Sequence, residues 1–238
     1  MERLNRRLKL CAVIAAVLML FSLIVAALNI IFNRTGWLYK EYLDDLDIER
    51  TSGISADDAE RVLSRMMYYA IGRADDLDIT ITENGEQVEF FNERELSHMV
   101  DVRRLAMTVM WSGMISLILS AGFVLYLLIA RRTECLRAFA KAFLITLAVV
   151  AVIAAALGIW AGTDFNSFWQ AFHVVFLDLE SSTFDPASSR MIRICPAKLF
   201  SDFVGILAFD AVLTVGAAAV ICAVLLVVLR KKHGKQLL

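Results

Sequence analysis

The sequence predicts an all-α membrane protein, with four transmembrane helices and a small α+β extracytoplasmic cap. Three observations predict it. Four apolar runs each reach the roughly 20 residues that a bilayer crossing needs. Mean hydropathy is +0.65 with 59% hydrophobic residues, far from the composition of a soluble domain. Basic residues gather at the same side of successive runs, the pattern of positive-inside topology.

The tail at 1–9 carries Arg3, Arg6, Arg7 and Lys9, and the first span follows at 10–32. That run starts too near the terminus and runs too long for a signal peptide, and it lacks a small-x-small cleavage site. It reads as an uncleaved anchor. The second, third and fourth spans are expected at 105–130, 139–161 and 204–229. A short loop at 131–138, with Arg131, Arg132, Arg137 and nearby Lys141, and a tail at 230–238, with Arg230, Lys231, Lys232 and Lys235, complete the basic side. Only Glu2 and Glu134 oppose these charges. Both termini are therefore expected in the cytoplasm, with the segments at 33–104 and 162–203 outside. Those two segments hold nearly all the carboxylates, so a net charge of −1 conceals a basic inner and an acidic outer side. No nucleic-acid partner is expected.

The first outer segment is long enough for a folded cap. Ser55-Ala56-Asp57-Asp58 resembles a helix start. Ala59, Val62, Leu63, Met66, Met67, Ala70 and Ile71 then recur at three- and four-residue steps, closed by Gly72, which predicts an amphipathic helix over 55–72. Its polar face is too acidic for an anionic bilayer, so its apolar stripe is expected to lie on protein. A hairpin over 78–91 follows. Alternation on both sides of Asn84-Gly85 sets Ile81 opposite Val88 and Ile79 opposite Phe90, all four on one face.

The second outer segment opens with Phe165, Phe168, Trp169, Phe172, His173 and Phe176 at helical spacing, which predicts an aromatic helix over 164–177 suited to a membrane interface. Both prolines of the chain, Pro186 and Pro196, come next. Helix is expected to break after Leu177 and to resume near Pro196. No disulfide framework is expected. Cys11 and Cys135 sit at the inner edge, Cys222 lies in a span, and Cys195, alone outside, reads as a structural residue before Pro196.

Chemistry points to two histidines. A helix expected from residue 93 places His98 three residues from both Glu95 and Asp101, so all three can share a face. A carboxylate beside an imidazole fixes its tautomer and strengthens it as a base. Glu95 also fits a capping pair with Asn92, a purely structural reading. His173 lies on the aromatic face, where burial would keep its ring neutral. Each ring alone has a bland reading, a solvated or merely packed residue for His98 and a core residue for His173. Both border the same outer boundary, however, and the third imidazole, His233, is in the basic tail. Asp210 in the last apolar run is a secondary candidate. Arg190 and Arg193 would meet lipid headgroups or simply snorkel, and Asp185-Pro186 reads as a turn. No His-Glu-x-x-His, Gly-x-Ser-x-Gly or phosphate-binding loop is present, and no spacing singles out a metal site, so no metal or cofactor is expected.

In Glu95-Leu96-Ser97-His98-Met99-Val100-Asp101-Val102 and in Phe172-His173-Val174-Val175-Phe176, followed by Phe184-Asp185-Pro186 and by Pro196 before Phe200, the chain resembles the lipoprotein intramolecular transacylases, bacterial four-helix membrane proteins. The likeness covers nearly the whole chain in topology, and its specific motifs occupy these outer segments. Leu177 and Thr183 depart from the family pattern, the first where a second aromatic stands and the second where a tryptophan does, so the acyl-pocket shape is the weakest part of the match. The resemblance implies an enzyme of the bacterial cell membrane acting on its extracytoplasmic face. It implies a diacylglyceryl lipoprotein as substrate, whose sn-2 acyl chain moves to the α-amine of its own N-terminal cysteine. It further implies His98 and His173 as the acid–base pair, with Glu95, Asp101 or Asp185 in support. The aromatic stripe, with Trp169, Phe172, Phe176 and Phe184, would hold acyl chains. His98 is expected as base and His173 as donor, with exchanged roles left open. The other class of reading is a non-catalytic membrane partner acting through its acidic cap. Convergence of the two imidazoles within about 10 Å separates the two.

Overall fold

A computed structural model describes residues 5–36, 40, 46–83, 85–177 and 184–235. The elements in chain order are α1 (Arg6–Asn33), α2 (Ile48–Ser52), α3 (Ala56–Ala70), β1 (Thr80–Glu83), β2 (Glu86–Glu89), α4 (Glu93–Thr163), α5 (Phe165–Phe176), α6 (Arg190–Ile194) and α7 (Ala197–Lys235). Four helical stretches, Arg6–Asn33, Glu93–Ala130, Thr133–Thr163 and Ala197–Arg230, are long and apolar enough to cross a membrane.

The segment expected as a loop at 131–138 keeps helical hydrogen bonding throughout. Arg131 to Ala138 contains neither glycine nor proline, and most of its residues favour helix. The two halves of α4 nonetheless run in opposite directions. Ser120 Oγ donates to the Ala15 carbonyl at 2.8 Å, while Ala140 and Phe143 cluster with Ala16 and Leu20. A straight helix would put about 30 Å between positions 120 and 140, against about 7 Å between 15 and 20 on α1. The chain therefore reverses around residues 131–132.

The residues group into two compact units, one of Met1–Leu28, Trp111–Gly158 and Ala208–Leu238, the other of Asn29–Met110 and Ile159–Leu207. The first is helix on helix, with a core of Ala16, Leu20, Ala140, Phe143, Val215 and Cys222. Gly113 lets α1 come close, since a Cβ there would sit 2.5 Å from Val25 Cγ1. Ile129, Val152 and Ile221 stay exposed, as side chains facing lipid tails do.

The second unit joins the two segments that the sequence marks as outer. Ser55 Oγ caps α3 by accepting from the Asp58 amide at 3.1 Å. The Asp58 carboxylate holds Arg61, and Arg61 reaches the Thr80 carbonyl at 2.7 Å, which pins α3 to β1. The stripe of α3 is buried, and Gly72 follows with φ 77°, a left-handed backbone that suits glycine. The hairpin pairs Ile81 with Val88, and the Phe90 amide donates to the Ile79 carbonyl at 3.0 Å, the register read from alternation. Asn84 of its turn lies outside the described residues. Ile81 and Phe90 pack with the stripe, Met191, Ile194 and Leu199 in one core, so the acidic helix lies on protein.

Helix resumes near Pro196 as expected, since α7 starts at Ala197, and a five-residue stretch, α6, precedes it, too short for periodicity to reveal. Arg190 and Arg193 grip Glu83, through Arg190 Nη2 at 2.8 Å and Arg193 Nη2 at 2.9 Å, and hold its carboxyl below the usual carboxylate range. They tie the hairpin to α6 where lipid headgroups or snorkelling had been the expectation.

Candidate active site

The start of α4 is fixed by a reciprocal cap. Asn92 Oδ1 accepts from the Glu95 amide and Glu95 Oε2 accepts from the Asn92 amide, each at 2.9 Å. His98 follows within the next turn and is 7% exposed. Glu95 itself is 1% exposed, and its second oxygen accepts from Ser189 Oγ at 2.5 Å and the Met191 amide at 3.0 Å. One carboxylate thus joins the helix bearing His98 to the segment leading into α6. The hydrogen bonds of the three acids expected to support His98 go to other partners, while Asp101 still acts on its ring through charge. Glu95 spends its acceptors elsewhere, Asp101 bonds Arg104 at 3.2 Å, and Asp185 Oδ1 accepts from the Ala187 amide at 2.9 Å in a local turn. His98 Nδ1 is buried with no hydrogen-bond partner among the described residues.

His173 sits on α5, which Asp164 starts by accepting from the Ser167 amide at 3.0 Å. Trp169, one turn earlier, stacks on Phe172 at 5.2 Å and on Phe200 at 4.4 Å. Its carbonyl lies 2.8 Å from His173 Nδ1. A carbonyl only accepts, so Nδ1 carries the proton and Nε2 of the neutral ring carries the lone pair.

The two imidazoles meet. Their centroids are 6.2 Å apart, with planes 20° from parallel. Phe184 packs edge-on against His98 at 5.3 Å, with the Arg94 guanidinium over the Phe184 ring, and Trp169 and Phe172 both adjoin His173. Phe176 is different, since it touches Phe172 and is largely exposed. It lines a groove of about 600 Å³ with Asp101, Arg104, Leu105, Thr108 and Leu177. Asp101 follows His98 by three residues and Phe176 follows His173 by three, so the groove starts within a turn of both rings. Thr183 lies outside the described residues. Phe200, Arg94 and Ser189 escaped the site reading, although Ser189 before α6 is a recognisable cap residue.

Burial and the His173 ring opposite push the His98 pKa down to about 4, against a smaller upward pull from Asp101. His98 precedes the apolar stretch at 105–130 and is neutral at physiological pH. Between pH 6.5 and about 4 the unfolded chain binds a proton here that the folded chain refuses. Stability is then full above pH 6.5 and falls as pH drops toward 4. The His98→Gln protein is expected to show a flatter pH dependence of thermal unfolding over that window. Cys195 is no nucleophile, because burial, with Glu95 nearby, pushes its thiol up to about 12. No group of three or more metal-ligating side chains occurs among the described residues.

Four helices long and apolar enough to cross a membrane define an integral membrane protein, and the unit with the facing imidazole pair also holds the groove. The family model described as lipoprotein intramolecular transacylase Lit matches residues 12–200, and the chain belongs to that family. It is an acyltransferase, and its substrate is a lipoprotein. The fold is similar to the in meso structure of the membrane integral lipoprotein intramolecular transacylase Lit from Bacillus cereus, at a TM-score of 0.73 and 18% identity over 96% of this chain and 98% of that one. Variants of the same protein with a histidine changed to arginine or to alanine give TM-scores of 0.65 and 0.67 at 17% identity. They cover 97% and 96% of this chain, and 94% and 96% of those. No curated protein matches significantly.

Proposed function

We propose that the protein moves the sn-2 acyl chain of a diacylglyceryl lipoprotein to the α-amine of the same N-terminal cysteine, on the extracytoplasmic face of a bacterial membrane. The observation that carries this reading is the 6.2 Å between His98 and His173, which come from separate outer segments. A non-catalytic docking cap would not require that meeting.

Little is asked of the protein, because nucleophile and ester belong to one molecule and folding the headgroup back supplies proximity. The amine nitrogen attacks the ester carbonyl carbon and passes a proton to an imidazole. The resulting oxyanion takes a hydrogen bond from the other ring. The carbon–oxygen bond to the glyceryl group then breaks, and the departing oxygen takes up the proton, leaving an N-acyl, S-monoacylglyceryl cysteine. Ester to amide is downhill, so no energy source is needed.

The local geometry favours exchanged roles relative to the expectation from sequence. His173 Nε2 has its lone pair free and acts as base. A buried lone pair is tolerated better than a buried N–H, so the orphaned Nδ1 of His98 is bare and its Nε2–H donates to the oxyanion. Expression in a bacterium lacking other N-acylation tests the reaction, with substrate lipoprotein isotopically labelled in the sn-2 chain. Mass spectrometry should find the label on the cysteine nitrogen. Lipoproteins that keep a free amine and both ester-linked chains would rule the reaction out.

A further inference from the structure

Resting on that reading, the groove beside the histidines raises a question the acid–base pair leaves open, namely what holds the cationic amine before it reacts. An α-amine of pKa about 8 arrives mostly protonated at neutral pH. It travels with an apolar chain, so a carboxylate at the head of a partly apolar groove suits both parts. Most acids near the site are committed elsewhere. Glu95 accepts three hydrogen bonds in the interior, Glu83 is held by two arginines, and Asp185 closes a turn. Asp101 is placed differently. It lies within a turn of His98, its side chain is 32% exposed, and it opens onto the groove whose walls continue with Leu105, Val175, Phe176 and Leu177.

Its partner is also unusual. Arg104 meets Asp101 through a single contact of 3.2 Å with a side chain that is 76% exposed. Such a pair contributes little to stability and is easily opened. Arg104 lines the same groove, so it can swing aside without leaving the channel's mouth.

We infer that Asp101 is the receptor for the substrate's α-ammonium, with Arg104 occupying that position until the lipoprotein displaces it. The ion pair sets the amine beside His98 and His173, and the apolar walls take the acyl chain. Asp101 is a binding residue, and Arg104 competes with the substrate for it.

The two roles have opposite signs, which makes the test sharp. The probe is a dialkylglyceryl-cysteinyl peptide with ether links, so that no acyl transfer occurs, prepared with a free amine and with an N-acetylated one. Its binding to the full-length protein is measured by equilibrium competition. The wild type should prefer the free amine by about three- to fivefold, the scale of one accessible ion pair. That preference should vanish in Asp101→Asn and grow in Arg104→Ala, with affinity for the acetylated probe unchanged in both. Loss of affinity for both probes in both variants would mean that the pair only braces α4 and would overturn the proposal, as would an unchanged preference in Asp101→Asn. Product formation by the wild type from the ester-linked substrate, measured alongside, tests the transfer reaction separately.

Discussion

Alanine at either His98 or His173 is expected to lower the rate of N-acyl lipoprotein formation by about 10²- to 10⁴-fold, the usual contribution of a positioned acid or base. The product is followed by mass spectrometry. The two rings face one another at 6.2 Å, so if they serve one transition state, as proposed, the double variant should lose little more than either single one. Among the described residues the His173 ring hydrogen-bonds the carbonyl one turn before it on its own helix, and His98 makes no hydrogen bond at Nδ1. Removing either should therefore leave the fold largely intact. Thermal unfolding near that of the wild type, with activity gone, is the expected pattern. A variant that still converts its lipoprotein at near wild-type rate would remove that histidine from the chemistry.

The second large effect is on stability. Glu95→Ala strands the buried Ser189 hydroxyl and Met191 amide, each at a cost of about 1–3 kcal/mol if unsatisfied, and removes the cap on the exposed Asn92 amide. Partial relaxation brings the expected total to about 3–5 kcal/mol, comparable with breaking a buried charge network. Glu95→Gln keeps one acceptor and should lose roughly half as much. Thermal unfolding in detergent reads both. Near-wild-type stability for the alanine variant would show that the carboxylate is no brace.

Much of this fold is legible in the sequence, for identifiable reasons. The spans follow from length and apolarity, and the hairpin register follows from alternation around a two-residue turn, which a one-residue slip would destroy. Asn92 and Glu95 announce the cap at the head of α4 because capping is local chemistry. What stays hidden is non-local or short. Periodicity carries no information on the bonds from Glu95 to Ser189 and Met191, 94 and 96 residues away, nor on two arginines converging on Glu83. The reversal inside α4 is legible from the basic cluster between two apolar runs, whereas the helical hydrogen bonding that persists through it is not, since no breaker residue marks the turn. For the site, sequence marks both histidines by side and rarity. It does not reveal the hydrogen bonds of the nearby acids, because helical spacing shows which side chains can meet and not which bonds they choose.

Those same long-range bonds bear on how the molecule matures. Glu95 and Ser189 close a chain segment of 94 residues, and loop closure of that length comes late because its entropy must be met before the contact gives anything back. During synthesis the helix with His98 leaves the ribosome well before α6 exists. A truncated nascent product ending before Ser189 therefore carries both imidazoles of the pair yet lacks the hydroxyl and amide that clasp Glu95.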